Sequence, residues 1–247
     1  TVDLTTGQIL QYTNAAVTAD KLVMRTSNYA GLSGTRNSVN TLALASTGGN
    51  FDFQNNKALS VGTVNGVAGL TTANGHAKLD AWGNITLDDN VNLGSGHLGL
   101  FAAGHTIDLN NKDFNNDGVN IIGALGLKAN AVTDFIGTPA GGPGGVVTPS
   151  HLKFLAADLP GAFRFQAANE LTVGNVWGLL GIKATGNIWL TTGVFGASGT
   201  IPAFDISTEP SSYRDGSTGK VRARLMIEQP ITTGASVYLE PTSGISE

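Results

Sequence analysis

The sequence predicts an all-β protein, a right-handed parallel β-helix (β-solenoid) with two loop excursions, and three observations predict it. The first is a long repeat. FDFQNNKALSVGTVNGVAGL, Phe51 to Leu70, returns as FRFQAANELTVGNVWGLLGI, Phe163 to Ile182, without a gap and at an offset of 112 residues. Phe51, Phe53, Gln54, Leu59, Val61, Gly62, Val64, Gly66 and Gly69 each meet an identical partner, the mark of a repeat architecture. The second is a shorter unit within it, LDAWGNITL (Leu79 to Leu87), IKATGNIWL (Ile182 to Leu190) and, with Asn for Gly, FQAANELTV (Phe165 to Val173). Its period of two is a strand period: Leu79, Ala81, Ile85 and Leu87 point one way, and Asp80, Trp82, Asn84 and Thr86 the other. The central Gly or Asn predicts a bend with φ > 0, so each unit reads as two short strands joined at a corner. The third is the spacing of neighbours. HAKLDAWGNITL begins at His76 and HLGLFAAGHTIDL at His97, 21 residues later, and one inserted residue then carries Ile85 onto Ile107 and Leu87 onto Leu109. Like residues stack on like, which is the signature of repeated coils.

Taken in order, residues 1–50 read as entry coils, VDL, QILQY, KLVMRT and TLALAS, parted by Asn, Gly and Ser corners. No amphipathic helix covers the first of them, so a strand edge is left where a repeat protein normally carries a cap. Residues 51–109 hold the first long repeat and the stacked coils. NIIGALGLKANAVTDF (Asn120 to Phe135) fits either coil strands or a short helix, and periodicity does not choose between them. GTPAGGPGGVVTP (Gly137 to Pro149) is too rich in Gly and Pro for regular structure, and SGTIPAFDISTEPSSYRDGSTG is a second excursion. In KVRARLMIEQP, Val221, Ala223, Leu225 and Ile227 alternate with Lys220, Arg222, Arg224 and Glu228, predicting a terminal hairpin or a charge-protected edge. The expected organisation is therefore 1–136 first-repeat coils, 137–149 loop excursion, 150–196 second-repeat coils, and 197–247 loop and terminal strands.

Composition agrees with this reading. Gly is 34 of 247 residues and only 13% are charged, which suits strands and tight corners and is poor for helices. The 41% of hydrophobic residues, placed periodically, are too many for a disordered chain. The 14 basic residues are scattered and outnumbered by 18 acidic ones, a net charge of −4, so no patch is set to neutralise a nucleic-acid backbone. Cysteine is absent, excluding disulfides and thiolate metal sites. No apolar run reaches about 18 residues, so no membrane span is predicted. The chain opens on TVDLTTGQILQY, already strand-like and without an initiator Met, and reads as a mature product or an excised piece.

Several residue groups point toward chemistry. Asp113, Asn115 and Asp117, followed by Gly118, match the opening of a calcium loop, in which oxygens at alternate positions face the ion and glycine permits the turn. The position that would hold the bidentate carboxylate is Ala124, and Asp108 is an outside donor; the other reading is an Asx-rich turn. His76 and His97 fall one coil apart on one ladder, too few ligands for a metal site without a third. GSGHLG (Gly94 to Gly99) has glycines at dinucleotide-binding spacing, but strand-period residues follow it instead of a helix. Glycoside cleavage needs paired carboxylates, and Asp88 and Asp89 are adjacent without the surrounding motifs of β-helix polysaccharide hydrolases. Trp82 and Trp189 take outward positions of the nine-residue unit and Trp177 interrupts the second long repeat. For these three a glycan platform or subunit contact and a covering loop stand as alternatives.

The phrases ADKLVMRT (Ala19 to Thr26), GGNFDFQN (Gly48 to Asn55), ALSVGTVNGVAGLTTANG (Ala58 to Gly75) and LDAWGNITL resemble the coils of filamentous haemagglutinin-like adhesins, exoproteins of Gram-negative bacteria exported by two-partner secretion. The resemblance covers residues 19–109 well and 152–190 in part, and it ends near 197. The chain is much shorter than a typical member and has no N-terminal secretion domain, so the resemblance implies a segment or a small relative. It implies an extracellular or cell-surface rod acting in adhesion, aggregation or filament formation. The expected function is thus a structural or adhesive surface protein without catalytic activity, associating end to end and contacting glycans. The alternatives are a carbohydrate-active enzyme of the polysaccharide lyase or hydrolase kind and a non-catalytic glycan-binding segment. No cofactor is required beyond the candidate Ca2+.

Overall fold

The computed structural model describes residues 1–110, 122–133, 152–167, 171–192 and 225–241. Within them the chain is all-β, with 24 strands from Val2–Thr6 to Val237–Pro241 and no helix. The ambiguous segment is a strand, Ala124–Thr133. The candidate calcium residues Asp113, Asn115 and Asp117 and the excursion at 137–149 lie outside the described residues.

The alternation read from the sequence sorts the side chains. Ala77, Leu79, Ala81, Ile85 and Leu87 are buried, while Lys78, Asp80, Trp82 and Thr86 stay accessible. Register follows the same pattern: Leu79 lies beside Phe53 on one side and Leu100 on the other, and Ile85 beside Leu59 and Ile107. Two apolar columns run through successive strands as Val2, Leu22, Leu42, Val61 and as Leu4, Met24, Leu44, Leu70, Val91. From Leu22 and Met24 onward their members are fully buried, each stabilising the fold by roughly 2 kcal/mol relative to an exposed side chain.

The right-handed parallel β-helix expected from the sequence is corrected by the strand pairing. Such a coil divides into separate faces at its corners. Here the strands Ala30–Ser46 and His97–Asp108 run unbroken through expected corners, and each pairs with two successive partners. The parallel pairings close a ring: Ala30–Ser46, Phe51–Asn55, Ala77–Ala81, His97–Asp108, Ile85–Leu87, Leu59–Val61 and back to Ala30–Ser46. The main sheet is therefore a closed six-strand parallel barrel with further strands outside it. The physical reason is that the bend is absorbed inside continuous strands, by register shifts between Leu32 and Asn37 and between Ala102 and Thr106. The role expected of the corner glycine also changes. Gly83 is not among the left-handed residues; instead a Cβ there would fall 2.2 Å from the Ala58 backbone nitrogen, so glycine is demanded by close approach of the next strand.

Among the described residues at the C-terminal end the strands pair in parallel with earlier ones instead of forming a hairpin, and Lys220 to Arg224 lie outside the described residues. Leu225–Ile227 and Ile231–Thr232 pair in parallel with Leu171–Val173 and Ile182–Ala184, and Val237–Pro241 with Ile188–Thr192. The hairpins lie instead within the two copies of the long repeat: Thr63–Val64 with Val67–Ala68, and Asn175–Val176 with Leu179–Leu180. Asn65 and Gly66 at the first tip and Trp177 and Gly178 at the second all have left-handed φ, as a two-residue type I′ turn requires. Each hairpin folds back over an outer face: Val64 and Val67 pack on Val23 and Ala43, and Val176, Trp177 and Leu179 on Ala124 and Ala156. At the first tip, side-chain hydrogen bonds from Asn65 and then Arg25 hold the Asp3 carboxyl below the usual carboxylate range.

Two asparagines occupy the interior of the bend. Asn37 and Asn55 are adjacent in register and fully buried. Asn55 Nδ2 donates to the carbonyls of Val39, Lys57 and Ala58, and its Oδ1 accepts from Val39 N–H at 2.9 Å. One side chain thus satisfies backbone groups that the turning chain removes from the sheet. Replacing Asn55 with Leu leaves Val39 N–H and several carbonyls unpartnered, and should lower stability by about 3 kcal/mol. Replacing the exposed neighbour Asn56 with Ala should change it by less than about 0.5 kcal/mol. Urea denaturation of both variants checks this contrast.

Candidate functional site

The site is built around Trp82, which follows the Ala77–Ala81 strand at an outward position and is 63% exposed. Its backbone N–H donates to the Asn55 carbonyl at 3.0 Å. That same carbonyl accepts from Arg36 Nη1 at 3.1 Å, and Arg36 Nη1 lies 3.2 Å from Asp80 Oδ1. The guanidinium stands 4.2 Å from the centroid of the Trp82 ring. Ring, guanidinium and carboxylate are therefore referred to one anchor, the backbone of a fully buried asparagine. An exposed ion pair alone is worth little. Its effect here is geometric, since Arg36 holds one side of the indole by cation–π contact.

Along this face the outward ladder continues from Asp80 to Phe101, Lys128, Asp158 and Lys183. Lys78 Nζ sits 5.2 Å from the Phe101 ring centroid. A shallow groove of about 290 Å³ borders Lys128, Asp158 and Lys183. Among the described residues it offers one carboxylate, Asp158, itself 3.7 Å from Lys128 Nζ, where glycoside cleavage calls for a pair. What the Trp82 end provides is a rigid aromatic face flanked by a donor and an acceptor, a combination suited to holding a polar ligand with an apolar side.

The other tryptophans are placed differently. Trp189, half-buried, stacks on the exposed Tyr238 of the neighbouring strand, centroids 5.3 Å apart and planes within 8°. Trp177 sits at a hairpin tip at φ 55° and folds inward, so close to Gly99 that a Cβ there would meet its ring at 2.5 Å. Its buried Nε1 has no hydrogen-bond partner among the described residues. The structure thus separates three residues that the sequence treated alike. It also adds Arg36 and Asp80, which the sequence did not single out. Asp80 was legible as an outward strand position; Arg36 was not, because it lies in the stretch where register shifts between Leu32 and Asn37.

His76 and His97 meet as their spacing implied, ring centroids 4.4 Å apart, with His97 N–H donating to His76 Nδ1 at 2.9 Å. Trp177 lies edge-on to His76, centroids 6.1 Å apart. Burial, and then the His76 charge, pull the His97 pKa below its ordinary value. Asp88 and Asp89 accept hydrogen bonds from the hydroxyls of Ser60 and Thr63 on the neighbouring strand segment. The glycine-spaced Gly94–Gly99 stretch runs directly into the His97–Asp108 strand. Among the described residues no three His, Cys, Asp or Glu gather into a metal-binding cluster.

Two outcomes are expected. A glycine at position 177 relieves about 1 kcal/mol of left-handed strain but removes a ring whose packing is worth about 3 kcal/mol, so Trp177→Gly should destabilise by about 2 kcal/mol in urea titration. Because His97 titrates lower in the folded chain than its ordinary 6.5, the unfolded chain takes up its proton first. Stability from this group is present above that value and is lost as pH falls below it. The melting temperature should drop between pH 7.5 and 5.5, and His97→Gln should flatten that part of the drop.

No protein-family model matches the chain, nor does any curated protein or any solved structure.

Proposed function

We propose that the chain is an extracellular or surface-displayed structural and adhesive protein that works through surface contacts without a catalytic centre. The observation that carries this reading is the exposed, anchored Trp82 platform with Arg36 and Asp80 at its side. An aromatic face meets the C–H side of a saccharide ring, while the guanidinium and carboxylate exchange hydrogen bonds with its hydroxyls. Arg36, held by the Asn55 carbonyl and Asp80, is already placed beside the indole, which lowers the ordering a ligand must impose on the guanidinium. Two further facts support the non-catalytic part. Asp88 and Asp89 are engaged by Ser60 and Thr63, and among the described residues the groove beside Asp158 has a single carboxylate. The resemblance of the repeated phrases to filamentous haemagglutinin-like adhesins agrees in kind, and with it come surface localisation, self-association and contact with cell-surface glycans. No helix of the described residues is long and apolar enough to cross a membrane.

The test is retention of the purified chain on a panel of immobilised neutral and sialylated oligosaccharides. At least one saccharide should retain it, and Trp82→Ala should weaken that binding about tenfold, while Trp189→Ala should leave it nearly unchanged. Retention by no saccharide, or equal retention of the Trp82 variant, rejects the reading.

A further inference from the structure

We propose that the outer face from Trp82 to Lys183 is one extended site for an oligosaccharide that carries a carboxylate, with a sugar ring on the indole at one end and the carboxylate on the Lys183 ammonium at the other. This rests on the saccharide-binding reading above and names the chemical class that the face selects.

The first ground is alignment. Asp80, Phe101, Lys128, Asp158 and Lys183 lie one beside the next on five neighbouring strands. Two positions further along the chain from each come Trp82, Ala103, Asn130, Pro160 and Thr185, all exposed. The groove of about 290 Å³ is bordered by the last four of these as well as by Lys128, Asp158 and Lys183. It therefore lies between two outward rows, and Trp82 heads one of them. With neighbouring strands about 4.8 Å apart, four spacings separate the strand before Trp82 from that of Lys183, a length of roughly 19 Å. One sugar ring is too short to touch both ends; a chain of several rings spans them.

The second ground is the lining. Ala103 and Pro160 give apolar surface to the C–H side of a sugar, and Asn130 and Thr185 give polar groups between and beyond them. Both polar side chains are already oriented: Asn130 Nδ2 donates to the Gly104 carbonyl at 3.2 Å, and the Thr185 hydroxyl donates to the Pro160 carbonyl.

The third ground is charge. Asp80 has Arg36 at 3.2 Å and Asp158 has Lys128 at 3.7 Å, so each carboxylate of the row has a cation of its own. Lys183, exposed and set in register between Asp158 and Thr232, has no ion pair among the described residues. A ligand carboxylate supplies the missing counter-charge. Asp158, one strand away, accepts hydroxyl protons from the adjoining ring and repels a second anionic group there. The face thus matches rings of single charge with free hydroxyls and discriminates against densely sulfated chains.

The probes are oligosaccharides of two, four and six rings derived from polygalacturonate, alginate and hyaluronate, neutral chito-oligosaccharides of the same lengths, and a heparin hexasaccharide, each titrated calorimetrically into the full chain. At least one uronate series should bind, with affinity rising at least tenfold from two rings to six and exceeding that of the neutral and sulfated hexamers. Lys183→Gln should weaken the uronate hexamer about tenfold without altering neutral-oligosaccharide binding, Trp82→Ala should weaken both, and Lys21→Gln, at an exposed position of the Thr18–Thr26 strand, should weaken neither. Neutral oligosaccharides held through Trp82 without preference for uronates overturn this proposal and leave the adhesive reading in place. So does a preference for heparin, or uronate binding that ignores chain length or Lys183→Gln. Binding of no oligosaccharide removes both.

Discussion

In-register parallel pairing is the constraint on which the rest of the structure depends. Each strand sits beside one that carries a like residue at the like position, so a column such as Leu22, Leu42, Val61 stays apolar along its length and excludes water. The sequence spacing carries this register: Leu79 and Leu100, 21 residues apart, lie side by side, and the one residue inserted between Phe101 and Ile107 is absorbed without moving Ile107 from its place beside Ile85 in the interior. The outward positions are then also in register. That places Asp80 beside Phe101, brings Lys128 to Asp158, and sets Trp189 on Tyr238. The surface pattern is thus a by-product of the core pattern, and Trp82 stands at the end of a strand whose register the core sets.

The inward alternation, the register of the His76 and His97 segments and the all-β class were legible because they depend on residue type at fixed short spacing. The way the strands close was not. Ala30–Ser46 and His97–Asp108 contain Gly, Ser and Asn where a corner is expected, yet pairing continues through them. Whether a bend interrupts a ladder or is absorbed as a register shift depends on partners from other turns, here Phe51–Asn55 and Leu59–Val61. The buried Asn37 and Asn55 show the same limit. Each reads locally as a turn residue, but what they do is satisfy backbone groups up to 20 residues away in sequence.

The candidate site divides along similar lines. Trp82 and Trp189 share outward positions of the repeated unit while Trp177 interrupts the second long repeat, and packing from distant segments sets their surroundings: Tyr238 covers one face of Trp189, and the hairpin turns Trp177 toward Gly99 and His76. Trp82 remains because what reaches it, Arg36, is a partner to its face and leaves it 63% exposed. Its backbone and Arg36 meet at one carbonyl, that of Asn55, which no side-chain motif announces.

The two hairpins show how one repeated phrase was adapted to two neighbourhoods. The tip is Asn65–Gly66 in the first copy and Trp177–Gly178 in the second, at the same left-handed backbone positions. Asn tolerates that conformation at low cost, and in the first copy it also bonds Asp3, fastening the edge strand Val2–Thr6. Trp tolerates it poorly, so its presence requires compensation from packing. The compensation is visible in Gly99, where the absence of a side chain makes room for the indole. A strained residue and a glycine far from it in sequence thus form one unit, and the hairpin that carries Trp177 is tied to earlier strands as firmly as the first is tied to Asp3. Both hairpins point back toward preceding strands, leaving the edge at Leu225–Ile227 and Ile231–Thr232 uncovered by either.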